Sequence, residues 1–145
     1  MNMPEYVTVQ EVRRVCKELG IRDWSRLKKS AVTSEEATKI LKKSDAQGMK
    51  IDIDQFRAGL EVELEHGIVF KAYNVTNNHP LLTGKIVLAH FMESLDYYRR
   101  LEVMEIEGDL FKAVAGRKQG KARKYMTRLA DAKAALAKAE AGQLK

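Results

Sequence analysis

Apolar residues recur at helical spacing through most of this chain, and the pattern predicts an all-α fold. Thr8 and Glu11 have the spacing of a capping box at a helix start. Gly20 stands where a glycine often ends a helix in the C′ position. No stretch alternates between apolar and polar residues for long enough to predict a strand. The stripe between these two signals is that of an amphipathic helix, with Val9, Val12, Val15, Cys16 and Leu19.

A helix–loop–helix at about residues 34–66 resembles an EF-hand. Thr33 and Glu36 predict the start of its first helix, and residues 51–56 resemble the second half of a calcium loop. An EF-hand loop places oxygen ligands at early alternating positions and a bidentate glutamate at its last position. We therefore expect the geometry of the motif without calcium. In this alignment the first, third, fifth and last positions carry Ser44, Ala46, Gly48 and Gln55.

Three more helices are predicted after this loop. The first is expected to run to His66, with Gly67 as its C′ residue. Pro80 suits the first turn of the next helix, and another is expected to begin at Ser94 or Asp96. The predicted inner stripe of the helix after Pro80 consists of Leu82, Ile86, Ala89 and Met92.

The last segment of the chain is predicted to be a separate basic arm. Residues 116–120 indicate a flexible hinge, and an alanine-rich helix follows. Its apolar positions have heptad spacing over two repeats, which is too short for a stable coiled coil alone. We expect a small helical bundle at residues 1–115 and an arm at residues 116–145 that lies against another surface. The heptad positions are Tyr125, Leu129, Ala132, Leu136 and Ala139.

Composition and charge add an asymmetry to this picture. The chain is 45% hydrophobic, enough for a packed core. It has no membrane-length apolar run and no secretion signal at its start, so we expect a protein located in the cytoplasm of the producing cell. Cys16, the single cysteine, is expected to be a buried apolar residue. The net charge is +6, yet residues from Arg117 onward carry nine basic and two acidic side chains.

Glutamate and histidine gather at two predicted helix ends. Glu63 and His66 are three residues apart, as are His90 and Glu93, so each pair can converge on one helix face. Helical bundles that hold metal ions use inward-facing Glu and His at this spacing. The four residues could form a site for zinc, iron or manganese. The alternative is a surface helix end beside a hydrogen-bonded core histidine.

Residues 50–107 resemble a small uncharacterised domain family. The resemblance rests on residues 56–67, the Asn74–Asn77 run, residues 80–90 and residues 96–101. That family is found in bacteria and in tailed-phage genomes, and no activity comes with the resemblance. The chain differs from the family pattern at Asn78 and His79, where the family usually carries two acids. If those acids help to hold a cation, their loss weakens the metal interpretation.

These observations favour a non-enzymatic structural or docking protein, in a phage particle (virion) as a capsid- or head-associated component. The sequence contains no recognisable Ser-His-Asp or Cys-His arrangement. A larger protein assembly is the expected partner, with metal binding or contact with nucleic-acid phosphates as the alternatives, and homo-oligomerisation stays open. A loop of Asn74, Thr76, Asn77 and Asn78 is expected to be presented to partners. The arm is expected to bind through Arg117, Lys118, Lys121, Arg123, Lys124, Arg128, Leu129 and Leu136.

Overall fold

The structure is a computed structural model, and it describes residues 6–144. Within that range the chain is helical and contains no strand, which confirms the predicted all-α class. It divides into two compact units, an N-terminal unit of residues 1–92 and a C-terminal unit of residues 93–145. The helices are α1 (Val9–Leu19), α2 (Ser34–Ser44), α3 (Ile53–Val69), α4 (Pro80–Glu93), α5 (Tyr97–Ala115) and α6 (Gln119–Gln143), with short 3₁₀ turns at Trp24–Arg26 and Lys71–Tyr73.

The ends of α1 follow from its sequence, with one difference. The Thr8 hydroxyl accepts the Glu11 N–H at 3.2 Å, as a capping residue does. Glu11 pairs instead with Arg14, at 2.7 Å, so the reciprocal half of the predicted capping box is replaced by an ion pair. Gly20 adopts φ 62°, and the Ile21 N–H reaches the Cys16 carbonyl at 3.0 Å. This is the Schellman ending that the glycine predicted.

The start of α2 carries a buried carboxylate. Thr33 and Glu36 form the full capping box, and Glu36 is also bound by the side chains of Arg22, at 2.6 Å, and Trp24, at 3.3 Å. Burial raises the pKa of Glu36, but these hydrogen bonds outweigh it and lower the pKa to about 2. One carboxylate thus joins the helix cap, the indole and the segment before α2.

The four helices of the N-terminal unit each contribute one apolar face to its core. Gly84 sets the packing of α4, since a Cβ there would lie 2.8 Å from Ile40 Cγ2 and 2.8 Å from Ser44 Oγ. The predicted inner stripe of α4 was therefore wrong at three of its four positions, because Ile86, Ala89 and Met92 are exposed. The largest buried apolar side chains are Val12, Val15, Cys16, Trp24, Ile40, Phe56, Leu60, Leu64, Val87, Leu88 and Phe91.

The predicted helix–loop–helix forms as α2, the loop of residues 45–52 and α3. Asp52 caps α3 by accepting the N–H groups of Asp54 and Gln55, at 2.8 and 3.0 Å. The prediction that Gly67 ends this helix was wrong, because α3 continues to Val69. Gly67 instead lies inside the helix, where the side chains of Asn74 and Asn78 pack against it.

The C-terminal unit is a hairpin of two helices. α6 packs against α5 of the same chain, so the expectation that it needs a separate surface to lie on was wrong. Its heptad positions Leu129 and Leu136 are half-buried, and Ala132 is buried. The facing positions on α5 also have heptad spacing and are Val103, Ile106, Leu110 and Ala113. The division between units lies at residues 92 and 93, whereas the boundary expected from sequence, at 115 and 116, falls between the two helices of this hairpin.

Ion pairs fix the register of the hairpin as antiparallel. Arg100 joins Asp96 and Glu140 at 2.8 Å each, and Glu107 pairs with Lys133 at 2.9 Å. At the other end, the chain reverses through a second Schellman ending, in which the Lys118 N–H binds the Ala113 carbonyl at 2.8 Å. Arg117 occupies its left-handed position, with φ 53°. The predicted flexible hinge is thus a hydrogen-bonded turn.

The helices described for residues 6–144 include none with the length and apolar character needed to cross a bilayer.

Candidate functional site

The structure brings three of the four proposed metal ligands together. Glu63 on α3 lies 3.6 Å from His90 Nε2 on α4 and 3.8 Å from His66 Nδ1. Only 14% of the Glu63 side chain is exposed. At these distances Glu63 forms an ion pair with either imidazole when that ring is protonated. The pair with His90 joins α3 to α4.

Metal binding at this cluster stays a prediction. Glu93 is exposed at the last residue of α4. Between residues 6 and 144, no three His, Cys, Asp or Glu side chains converge closely enough to hold an ion. In this structure Glu63 lies between the two imidazoles and so links α3 to α4.

The asparagine loop is held against α3 at Gly67. Asn74 Nδ2 donates to the Gly67 carbonyl at 3.1 Å and to Asn78 Oδ1 at 2.9 Å. A Cβ at position 67 would lie 2.3 Å from Asn78 Oδ1, so only glycine permits this approach. Asn77 donates to the Val7 carbonyl, at 2.6 Å, and Thr76 lies beside Asn74. These amides fix the loop, and its role toward partners stays a prediction.

His79 starts α4. Its Nδ1 accepts the Leu82 N–H at 3.3 Å, which makes it the N-cap before Pro80. Burial lowers the pKa of His79 and so favours the neutral ring, the form that can accept this bond. An aspartate would cap the helix in the same way. If the family carries an acid at this position, as expected from the resemblance, that acid would not by itself indicate a cation site.

The turn end of the α5–α6 hairpin is strongly basic. We define the hairpin tip as residues 110–130, which contain seven Lys or Arg and no Asp or Glu. The six predicted arm cations, from Arg117 to Arg128, are all exposed. Arg128 lies over the Tyr125 ring at 5.8 Å. Across residues 6–144, none of these six forms an ion pair, so their charge is available to a partner.

Apolar side chains interrupt this basic surface. Phe111, Val114 and Met126 are 74%, 61% and 61% exposed. Val114 and Met126 lie one heptad closer to the turn than the paired residues Glu107 and Lys133, so they share that flank of the hairpin. Phe111 precedes Val114 by about one turn of α5, and we call these three exposed side chains the apolar patch of the tip.

This patch was not predicted from the sequence, because the heptad of α6 was assigned to a partner. Phe111 and Val114 were not distinguished from the side of α5 that faces α6, and Met126 lies beside the heptad rather than on it. A usable signal was present, since α5 carries two apolar stripes and one hairpin contact can cover only one of them. The second stripe contains Leu101, Met104 and Phe111, and Met104 is 59% exposed.

Comparison with known proteins gives a family without a function. A family model described as a protein of unknown function, DUF5661, matches residues 12–107. This match includes the region in which a family resemblance was expected and extends it to α1. Neither the curated proteins nor the solved structures contain a significant match. Since the family model covers well over half of the sequence, the chain belongs to the DUF5661 family.

Proposed function

We propose that this chain is a non-enzymatic docking protein that binds an acidic protein partner through the hairpin tip. The observation that carries the proposal is the apolar patch of Phe111, Val114 and Met126 amid seven cations. A protein partner with an apolar centre and an acidic rim would cover both features at once. Contact with nucleic-acid phosphates would use the cations and leave the patch in water.

The backbone at the turn also bears on the charge of the tip. Arg117 has φ 53°, a conformation that glycine adopts more easily. For another residue the left-handed region costs about 1 kcal/mol. The turn thus carries a cation where a glycine would be more stable, which is compatible with a binding role for that charge.

A second copy of the chain is a less suitable partner. Two tips brought face to face would place seven cations against seven, with no carboxylate in residues 110–130 to offset them. The finer proposal, that the partner is a capsid or head component of a phage particle, rests on the family resemblance alone.

The test is site-specific photo-crosslinking in producing cells. A photoreactive residue replaces Phe111 or Met126, and Lys43 on α2 serves as an exposed control position. We expect one dominant protein adduct from the tip positions, with an acidic surface, and none from the control. The combined substitutions Arg123→Gln and Lys124→Gln should reduce the yield several-fold, as should added salt.

Nuclease-sensitive adducts would replace the proposal with nucleic-acid binding, and equal yields from tip and control would refute a docking surface. Copurification of the adduct with phage particles would support the finer proposal, and its exclusion from particles would refute that part alone.

A further inference from the structure

A pocket of about 540 Å³ opens in the N-terminal unit, separate from the hairpin tip. Its walls come from the 3₁₀ turn after α1, the end of α3 and the asparagine loop. The volume falls in the range of small-molecule sites. The lining residues are Ser25, Arg26, Leu27, Lys28, Gly67, Ile68, Lys71, Asn74, Asn77 and Asn78.

The charge of this lining has one sign. Arg26, Lys28 and Lys71 contribute three cations, and no lining residue is acidic. Arg26 has a counter-charge in Asp23, whose carboxylate lies 3.7 Å from Arg26 Nε. That carboxylate already accepts from Ser25 N–H, at 3.0 Å, and lies 3.4 Å from Arg13. Cations around a concave surface reinforce one another's field, so the pocket attracts anions.

The pocket is built rather than formed by chance side-chain positions. Gly67 lets the asparagine loop approach α3, and the hydrogen bonds of Asn74 hold it there. Lys71, in the short turn at Lys71–Tyr73, lines the same pocket as Arg26 and Lys28. The side-chain amides of Asn74 and Asn77 donate to the carbonyls of Gly67 and Val7, so the three cations are the main recognition elements for an anion.

We propose that this pocket binds a phosphate-bearing small molecule of about nucleotide size. Arginine binds phosphate with two parallel hydrogen bonds, and lysine adds a mobile point charge. The volume exceeds the requirement of inorganic phosphate, and Leu27 and Ile68 supply an apolar wall for the remainder of the ligand. Nucleotides and sugar phosphates share this chemistry. The site lies in the N-terminal unit, so the inference is independent of docking through the tip.

Isothermal titration calorimetry of the full chain at fixed ionic strength tests the inference. ADP and glucose 6-phosphate are the probes, with adenosine and glucose as the controls that lack phosphate. We expect saturable binding of one phosphorylated probe per chain and none of its control. The double substitution Lys28→Gln and Lys71→Gln should weaken that binding about tenfold or more, because it removes two of the three cations that contact the phosphate.

Matched variants separate the pocket from general positive charge. Lys42→Gln with Lys43→Gln removes the same charge from the exposed side of α2, and Lys121→Gln with Lys124→Gln removes it from the tip. Both should bind the probe within about twofold of the unmodified chain. Arg26→Gln provides a second pocket variant, since all of the substituted side chains are exposed and none supports the core.

Three results would overturn the inference: no saturable binding of either probe at millimolar concentration, equal loss in all three lysine pairs, or unchanged binding in both pocket variants. Tighter binding of ADP would identify the ligand class as nucleotides, and tighter binding of glucose 6-phosphate would identify it as sugar phosphates.

Discussion

Some single residues of this protein take part both in a helix and in a contact with a segment outside that helix. Glu36 both completes the capping box of α2, by accepting the Thr33 N–H, and accepts hydrogen bonds from Arg22 and Trp24. Gly67 is a residue of α3, and the side chains of Asn74 and Asn78 pack directly against it. Such residues couple local structure to the packing around it, so their replacement should have effects beyond one helix.

Glu36 predicts how stability depends on pH. Its pKa in the folded chain is about 2, below the ordinary value of 4.5, so its contribution is complete above pH 4.5 and is lost as the pH falls toward 2. Glu36→Gln should lower the free energy of unfolding by about 2 kcal/mol at pH 7, less than the full shift implies because Arg22 is half-exposed. Denaturant unfolding from pH 3 to pH 7 measures both effects.

The neighbouring Glu35 provides the control, because its side chain is 76% exposed and pairs only with Lys39. Glu35→Gln should change stability by less than about 0.5 kcal/mol. If the two variants show the same acid dependence, the network around Glu36 does not have the assigned strength.

A single helix of this protein can carry apolar residues both on a buried face and on a solvent-exposed face. On α5, Ile106 is 3% exposed on the side that faces α6, whereas Met104 lies two residues earlier on an open face. The helix therefore belongs to the hairpin and still presents an apolar surface. Burial rather than hydrophobicity decides what each residue contributes.

Substitutions on these two faces should separate stability from binding. Ile106→Ala should destabilise the hairpin by about 2–4 kcal/mol, because it leaves a cavity between α5 and α6. Faster amide hydrogen exchange in α6 would report this loss. Met104→Ala should change exchange little, since its side chain has few contacts to lose. Equal protection of α6 in the two variants would contradict the packing described here.

The sequence predicts best those features that depend on neighbouring residues. The caps at Thr8 and Thr33 and the Gly20 ending depend on residues within a few positions of each backbone group. The inner face of α4 was harder, because Val87, Leu88 and Phe91 are as apolar as the exposed Ile86 and Met92. Only the close approach of α2 at Gly84 decides between these faces, and that contact is distant in sequence.

The candidate sites were predicted unevenly for the same reason. Six of the seven basic residues of the tip fall within the twelve positions 117–128 and were recognised directly. The pocket joins residues 25–28 with residues 67–78, and no periodicity connects those segments. The hairpin depends on pairing between two heptads, of which only the one on α6 was noticed.

At the scale of the molecule, charge is concentrated rather than spread. The formal net charge is +6, and the 21-residue tip alone contributes seven cations without an acid. A local field of this kind affects binding to charged surfaces more than the net charge does.

Ion-exchange chromatography can test this distribution. The pair Arg123→Gln and Lys124→Gln and the pair Lys42→Gln and Lys43→Gln each remove two positive charges. The tip pair should elute from a cation exchanger at clearly lower salt, because it weakens the cluster that contacts the resin. Coelution of the two variants would show that binding to the resin depends on net charge and not on where the charges lie.

Cys16 gives the molecule a built-in reporter. Its thiol is 2% exposed on α1, and burial raises its pKa, so reagents that attack the thiolate meet it only when the helix opens. The rate of its modification in native buffer therefore measures local opening around α1. Because the chain has no other cysteine, a thiol introduced at the surface could be labelled quickly and selectively while Cys16 stays unmodified.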